Sequence, residues 1–201
     1  MKHENNKYVK AFLAHVHKQC SAAGIKVDLR PTKFLKLSGN IYCSGYFDES
    51  DKAMVVAMNH PLALEVLVHE FGHFTQYMDK LSIWDASATA LNKVDEWLGG
   101  KEVRNIEKWM GISRDLELDN EKRAVKLIKK FNLPIDTELY TKRANAYVLF
   151  YTWMLTTRKW ATRKNSPYRN QLLIDACSNK FNMQYDKLST KMRKAFEESG
   201  V

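Results

Sequence analysis

No stretch of this chain holds the roughly 20 consecutive apolar residues that a helix needs to cross a bilayer. The longest apolar run, AYVLFYTWML from Ala146 to Leu155, is about half that length and reads as a buried core helix. The segment MKHENNKYVKAF at the amino terminus is polar and charged, without the apolar stretch of a secretory leader. Both absences speak against a helical membrane protein and against export, so a cytoplasmic location is expected. Cysteine is scarce as well. Cys20, Cys43 and Cys177 are odd in number and widely spaced, which fits reduced thiols, and the lack of any CxxC pair argues against a cysteine-built zinc site. Internal repeats and low-complexity linkers are missing, so one domain over residues 1–201 is expected.

What is present describes a globular protein. A chain of 201 residues with 45% hydrophobic and 11% aromatic content can bury a substantial core. The formal charge is +9 and the sequence pI about 9.4, a balance that favours encounters with nucleic acid or other acidic partners. Basic residues gather in the carboxy-terminal half, in KRAVKLIKKF, TTRKWATRK and KLSTKMRKAF. Each of these also fits the solvated face of an amphipathic helix, the reading favoured over a dedicated nucleic-acid surface.

Periodicity and breakers set the order of elements. A helix over about 5–22 places Tyr8, Phe12, Val16 and Cys20 on one face and ends at Gly24. KVDLRPTKFLKL is extended, and CSGYFDESDKAMVVAM reads as a hairpin turning at DESD. Pro61 suits the first turn of the next helix, in which Leu64, Leu67, Val68 and Phe71 keep helical spacing. Thereafter helices dominate: SATALNKVDEWLGG, a long stretch over about 101–131, another from about 137 to 163 capped by Asp136, and two shorter ones. The amino-terminal part to about residue 80 therefore holds the sheet, and residues from about 81 onward form a helical part.

The chemistry lies in VLVHEFGHFTQ, residues 66–76. On a helix, His69 and His73 are four apart and project from one face, so both imidazoles can reach one metal ion. Zinc takes such nitrogen ligands tetrahedrally. Glu70, next to His69, can accept a proton from a zinc-activated water and pass it to a leaving amine, which is the mechanical content of HExxH. The surrounding segment is otherwise apolar, and a semi-buried helix would not carry two histidines and a glutamate unpartnered. A catalytic zinc needs a third protein ligand. The extension HExxHxxGxxH fails, because position 76 is Gln76 and position 79 is Asp79, a carboxylate expected at the solvated helix end. RDLELDNEKRAVKLI is the stronger source: Glu117 and Glu121 share one helical face in a partly buried segment.

VLVHEFGHFTQ followed by EKRA resembles the gluzincin arrangement of zinc metallopeptidases. The Glu121-x-x-Ala124 spacing is similar to the third-ligand helix of the ImmA/IrrE-like family, although Val125 stands where that family has Asn or Asp. That resemblance makes Glu121 the preferred third ligand. A thermolysin-like spacing would make Glu117 the ligand and Glu121 its partner. More of the chain, through its YFDE…MVVAM, HEFGH, ELDNEKRAVKLI and ANAYVLFY segments, resembles small predicted metallopeptidases of tailed bacteriophages, which would place it in a host cytoplasm.

The resemblance implies an α+β, zincin-like fold: an N-terminal helix and a small, mostly antiparallel sheet, then the metal helix and a helix-rich remainder. It implies zinc as cofactor and a peptide or protein as substrate, with KAMVVAM as the edge strand that pairs with it. Tyr147 is the candidate oxyanion donor, with Asn145 and Tyr151 as alternatives on neighbouring faces. His60 fits a loop or capping role, His3, His15 and His17 carry no site signal, and Trp97, Trp109, Trp153 and Trp160 read as packing residues. The alternative to a peptidase is a zinc-containing regulator that binds nucleic acid or protein through its basic surface.

Overall fold

A computed structural model describes residues 5–37 and 42–201, in which seven α-helices and five β-strands make an α+β protein. The chain divides into two compact units: Met1–Asp79 with Arg123–Ile135, and Lys80–Lys122 with Asp136–Val201. His3 lies outside the described residues.

The first unit opens with α1 (Lys7–Ala22), started by Asn6, whose side chain accepts from the N–H groups of Tyr8 and Val9. Its buried stripe is Val9, Phe12, Val16 and Cys20. Val9 takes the place expected for Tyr8, which is 38% exposed under the Lys7 ammonium. Gly24 adopts φ +71, a left-handed conformation that lets the chain reverse into β1 (Lys26–Arg30). After β2 (Leu35–Lys36) and β3 (Tyr42–Cys43), an antiparallel pair, come β4 (Gly45–Asp48) and β5 (Ala53–Ala57). The hairpin forms as expected: Asp48 Oδ1 accepts from Ser50 and Asp51, closing the turn.

The main sheet has the order β1-β5-β4, which corrects the place expected for KAMVVAM, while two of the three strand pairings among the described residues are antiparallel, as expected. The main sheet is mixed, because β1 pairs with β5 in parallel over five residues while β4 pairs with β5 antiparallel. The connection from β1 to β5 is long enough for the crossover that parallel pairing requires. KAMVVAM is therefore the central strand and not an edge. Met54, Val55, Val56 and Ala57 are all buried, with Val55 and Ala57 packed on Leu35 and their neighbours directed to the opposite face. Among the described residues β4 is an edge.

α2 (Ala63–Met78) follows, and Pro61 lies in the turn before it, where His60 carbonyl accepts from Ala63 N–H. Phe71 packs edge-on to Phe12 at 5.8 Å and stacks on Phe74 at 5.4 Å, while Phe131 approaches Phe12 at 5.2 Å. These rings tie α1, α2 and the Arg123–Ile135 segment into one core.

The second unit holds α3 (Ser82–Leu98), α5 (Thr137–Thr157), α6 (Gln171–Ala176) and α7 (Thr190–Ser199). It also contains α4 (Ile106–Lys130) as far as Lys122, the rest of that helix belonging to the first unit. Asp136 caps α5 as expected, accepting from Glu138 and Leu139 N–H. The helix stops at Thr157 and not near residue 163. Arg158 takes φ +51, and its side chain turns back to donate to the carbonyls of Trp97 (2.8 Å) and Lys101 (2.7 Å). Trp153 stacks on Phe196 in the core, as expected of a packing residue. Trp160 departs from that role, being 52% exposed. No helix among the described residues is long and apolar enough to cross a membrane.

Candidate metal centre

α2 presents its polar side chains in one short arc. The rings of His69 and His73, one turn apart, have centroids 4.8 Å apart and stand nearly perpendicular. Gln76, fully buried, places its Oε1 2.9 Å from His73 Nδ1. An amide oxygen accepts there, so Nδ1 carries the hydrogen and Nε2 keeps a lone pair for a metal. Glu70 is 7% exposed and lies under β4. A Cβ added to Gly45 would come within 2.6 Å of Val66 Cγ1 and 3.0 Å of Glu70 Oε1, so only glycine lets the strand pass this close to the carboxylate. Burial, and then the Glu70 charge, push the Cys43 thiol up to about 11.

α4 contributes two carboxylates that are almost wholly buried, Glu117 and Glu121, one turn apart. Tyr140 of α5 donates its hydroxyl to Glu121 Oε2 at 2.6 Å. Tyr151 donates to Glu117 Oε1 at 3.4 Å, and the hydroxyls of Tyr147 and Tyr151 are 3.3 Å apart. Burial first, and then the negative charge of Glu117, drive both of these phenols well above their ordinary pKa. They remain protonated at neutral pH, able to donate hydrogen bonds.

One donor atom from each of His69, His73 and Glu117 lies within 4.8 Å of the other two. These three side chains could hold a metal ion together. Two imidazoles and a carboxylate are side chains of the kinds that ligate metal ions. Glu121, preferred on the E-x-x-A spacing, does not belong to this group; its carboxylate is the one that Tyr140 engages. Glu117, the alternative, does.

The other expected residues fall as follows. Asp79, at the C-cap of α2, accepts from Arg123 Nη1 at 2.6 Å, and so is paired as well as half-exposed. Asn145 is fully buried and holds the carbonyls of Ser178 and Lys180 with its amide while accepting from Tyr185, which makes it a staple for the segment after α6. His60 Nδ1 accepts from Leu62 N–H in the turn before α2, which is the loop side of the loop or capping role expected for it. His15 packs between Phe71 and Phe131. Three contributors escaped the sequence reading: Gln76, Gly45 and Tyr140. Gln76 had a signal, since its position three residues after His73 puts it on the same helical face.

Compared with family models, with curated proteins and with solved structures, the chain matches none.

Proposed function

We propose that this chain is a zinc-dependent peptidase of the gluzincin type. His69, His73 and Glu117 are the metal ligands, and Glu70 is the general base. The observation that carries the reading is the meeting of two imidazoles and one buried carboxylate, with a second buried carboxylate directly after the first histidine. A zinc ion held there would supply Lewis acidity and lower the pKa of a bound water toward neutrality.

The rest of the work falls to the chain. Glu70, pressed under β4, takes up the proton that the attacking water loses and returns it to the departing amine. Gln76, accepting at Nδ1, holds His73 in the tautomer whose Nε2 would be free to ligate zinc. Tyr151 orients the Glu117 carboxylate, and Tyr147, kept neutral by burial, is the hydrogen-bond donor proposed for the oxyanion. The edge that could pair with an extended peptide is β4 and not β5, since β4 is hydrogen-bonded on one side among the described residues.

Elemental analysis tests the site directly. Wild type should carry about one zinc per chain, Glu117→Ala should lose it and Glu121→Ala should keep it. Glu70→Gln should hold zinc yet cleave no member of a peptide library that wild type cuts. Absence of zinc from wild type after supplementation would end the proposal, as would full cleavage by Glu70→Gln.

A further inference from the structure

The segment joining α5 to α6, RKWATRKNSPYRN (158–170), stands apart from the rest of the chain in charge and exposure. It holds Arg158, Lys159, Arg163, Lys164 and Arg169, and the sequence contains no acidic residue between Glu138 and Asp175. It was expected to be the charged face of a helix. Instead α5 ends at Thr157, and the segment is an irregular connector with two single-turn 3-10 helices, Arg163–Asn165 and Pro167–Arg169. The ammonium groups of Lys159 and Lys164 and the guanidinium of Arg169 are on exposed residues, and none of the three forms an ion pair among the described residues.

Trp160 lies among these cations. Phe150 and Tyr151 hold its ring from one side through T-shaped contacts at 5.7 and 6.1 Å, while 52% of the residue stays open to solvent. A singly exposed aromatic needs no explanation by itself, and what marks this indole is its place among exposed cations that form no ion pair among the described residues. The connector is also held in shape. Arg158 is tied to Trp97 and Lys101, Asn165 Nδ2 donates to Ser199 carbonyl at 2.9 Å, and Asn170 Nδ2 donates to Asn165 Oδ1 at 3.1 Å. Arg158, Asn165 and Asn170 thus bond inward, while Lys159, Lys164, Arg169 and the indole are exposed.

We propose that residues 158–170 form a docking site for single-stranded nucleic acid. Lys159, Lys164 and Arg169 neutralise successive phosphates, and Trp160 stacks on an unpaired base. Single strands use this pairing of stacking ring and backbone cations, because every base offers a π-face without base-specific hydrogen bonds. A duplex hides its bases and gains little from an exposed indole. A membrane surface favours an amphipathic helix with several apolar residues, and here Trp160 is flanked by Thr162, Asn165 and Ser166. An acidic peptide would satisfy the cations and leave the indole unused. The pre-set connector lowers the ordering cost of binding. None of this rests on the metal centre.

The test is fluorescence anisotropy of a labelled oligothymidylate with the full chain, across a series of salt concentrations. Trp160→Ala should weaken binding about 5- to 100-fold and leave the salt slope in place, and Trp160→Phe should restore most of the affinity. Neutralising Lys159, Lys164 and Arg169 together with glutamine should lower the slope of log K against log salt by about 2, at about 0.7 per single-strand contact. Neutralising Lys10, Lys18 and Lys33, exposed lysines of the first unit, should change it far less. Equal losses from both triple variants would reduce the effect to diffuse charge and overturn the proposal. So would equal affinity for a duplex of the same length, no binding of the oligonucleotide, or a preference for vesicles of anionic lipid over the single strand.

Discussion

Replacing Gly45 by alanine adds one methyl group where the structure leaves no room for it. The added Cβ would stand 2.6 Å from Val66 Cγ1 and 3.0 Å from Glu70 Cγ and Oε1. Carbon atoms rest at roughly 3.5–4.0 Å, so the Val66 contact is short by about 1 Å. Gly45 has no positive φ, so the penalty is steric and not conformational. Either Val66 leaves its rotamer or β4 lifts off α2, and forced overpacking of this kind costs about 1–3 kcal/mol. Alanine recovers roughly 0.5–1 kcal/mol by restricting the unfolded chain. The expected net loss is about 1–2 kcal/mol.

A double-mutant cycle isolates its cause. Val66→Ala removes the offending Cγ1 and leaves only the flexible Glu70 side chain to give way, so Gly45→Ala should cost about 1 kcal/mol less in that background. Urea unfolding followed by circular dichroism reads all four proteins. Gly111→Ala is the matched control: within α4 nothing lies closer than 3.9 Å to its added Cβ, and removing a helix-interior glycine should gain about 0.5–1 kcal/mol. If Gly45→Ala is as stable as wild type, or costs the same in both backgrounds, β4 is not seated on α2 as described.

Two further outcomes follow from the same side-chain accounting. Gln76→Leu keeps the volume near His73 but removes the acceptor at Nδ1, and zinc affinity measured by competition with a chromophoric chelator should fall about 10- to 100-fold; an unchanged affinity would mean that His73 is oriented by something else. Burial pushes the thiols of Cys20 and Cys177 up to about 12 from an ordinary value near 9. The folded state then holds protons that the unfolded chain has released, so each thiol's contribution is whole below about pH 9 and is lost as pH rises toward 12, at up to about 1.4 kcal/mol per pH unit. Cys20→Ala and Cys177→Ala should each flatten the alkaline fall in stability, and a fall as steep in both variants as in wild type would refute the burial assignment.

The amino-acid sequence carried the local features well and the long-range ones poorly, and the reason differs from residue to residue. HEFGH on a helix, the DESD turn and the Asp136 cap depend on neighbours within a few positions, and all three appear where spacing put them. The place of β5 in the sheet depends on β1, some twenty residues earlier, yet one local signal was available: Met54–Ala57 is an unbroken apolar run, as expected for a strand covered on both faces. Glu117 and Glu121 cannot be ranked from their own helix, because they share a face and differ by one turn. What separates them is the pair of histidines on α2: a Glu117 oxygen lies within 4.8 Å of a donor atom of each, whereas both carboxylates have a tyrosine partner, Tyr151 for Glu117 and Tyr140 for Glu121. Gln76 reads in sequence as the failure of a longer motif, while in the fold it is the acceptor that sets His73. Trp160 illustrates the converse, since an aromatic inside a helix expected to run to about residue 163 reads as core until the helix is seen to end three residues before it. For β5, the two glutamates and Trp160 the deciding partner lies on another element or at an element's end, where periodicity carries little information; Gln76 is the exception, since it shares a helical face with His73.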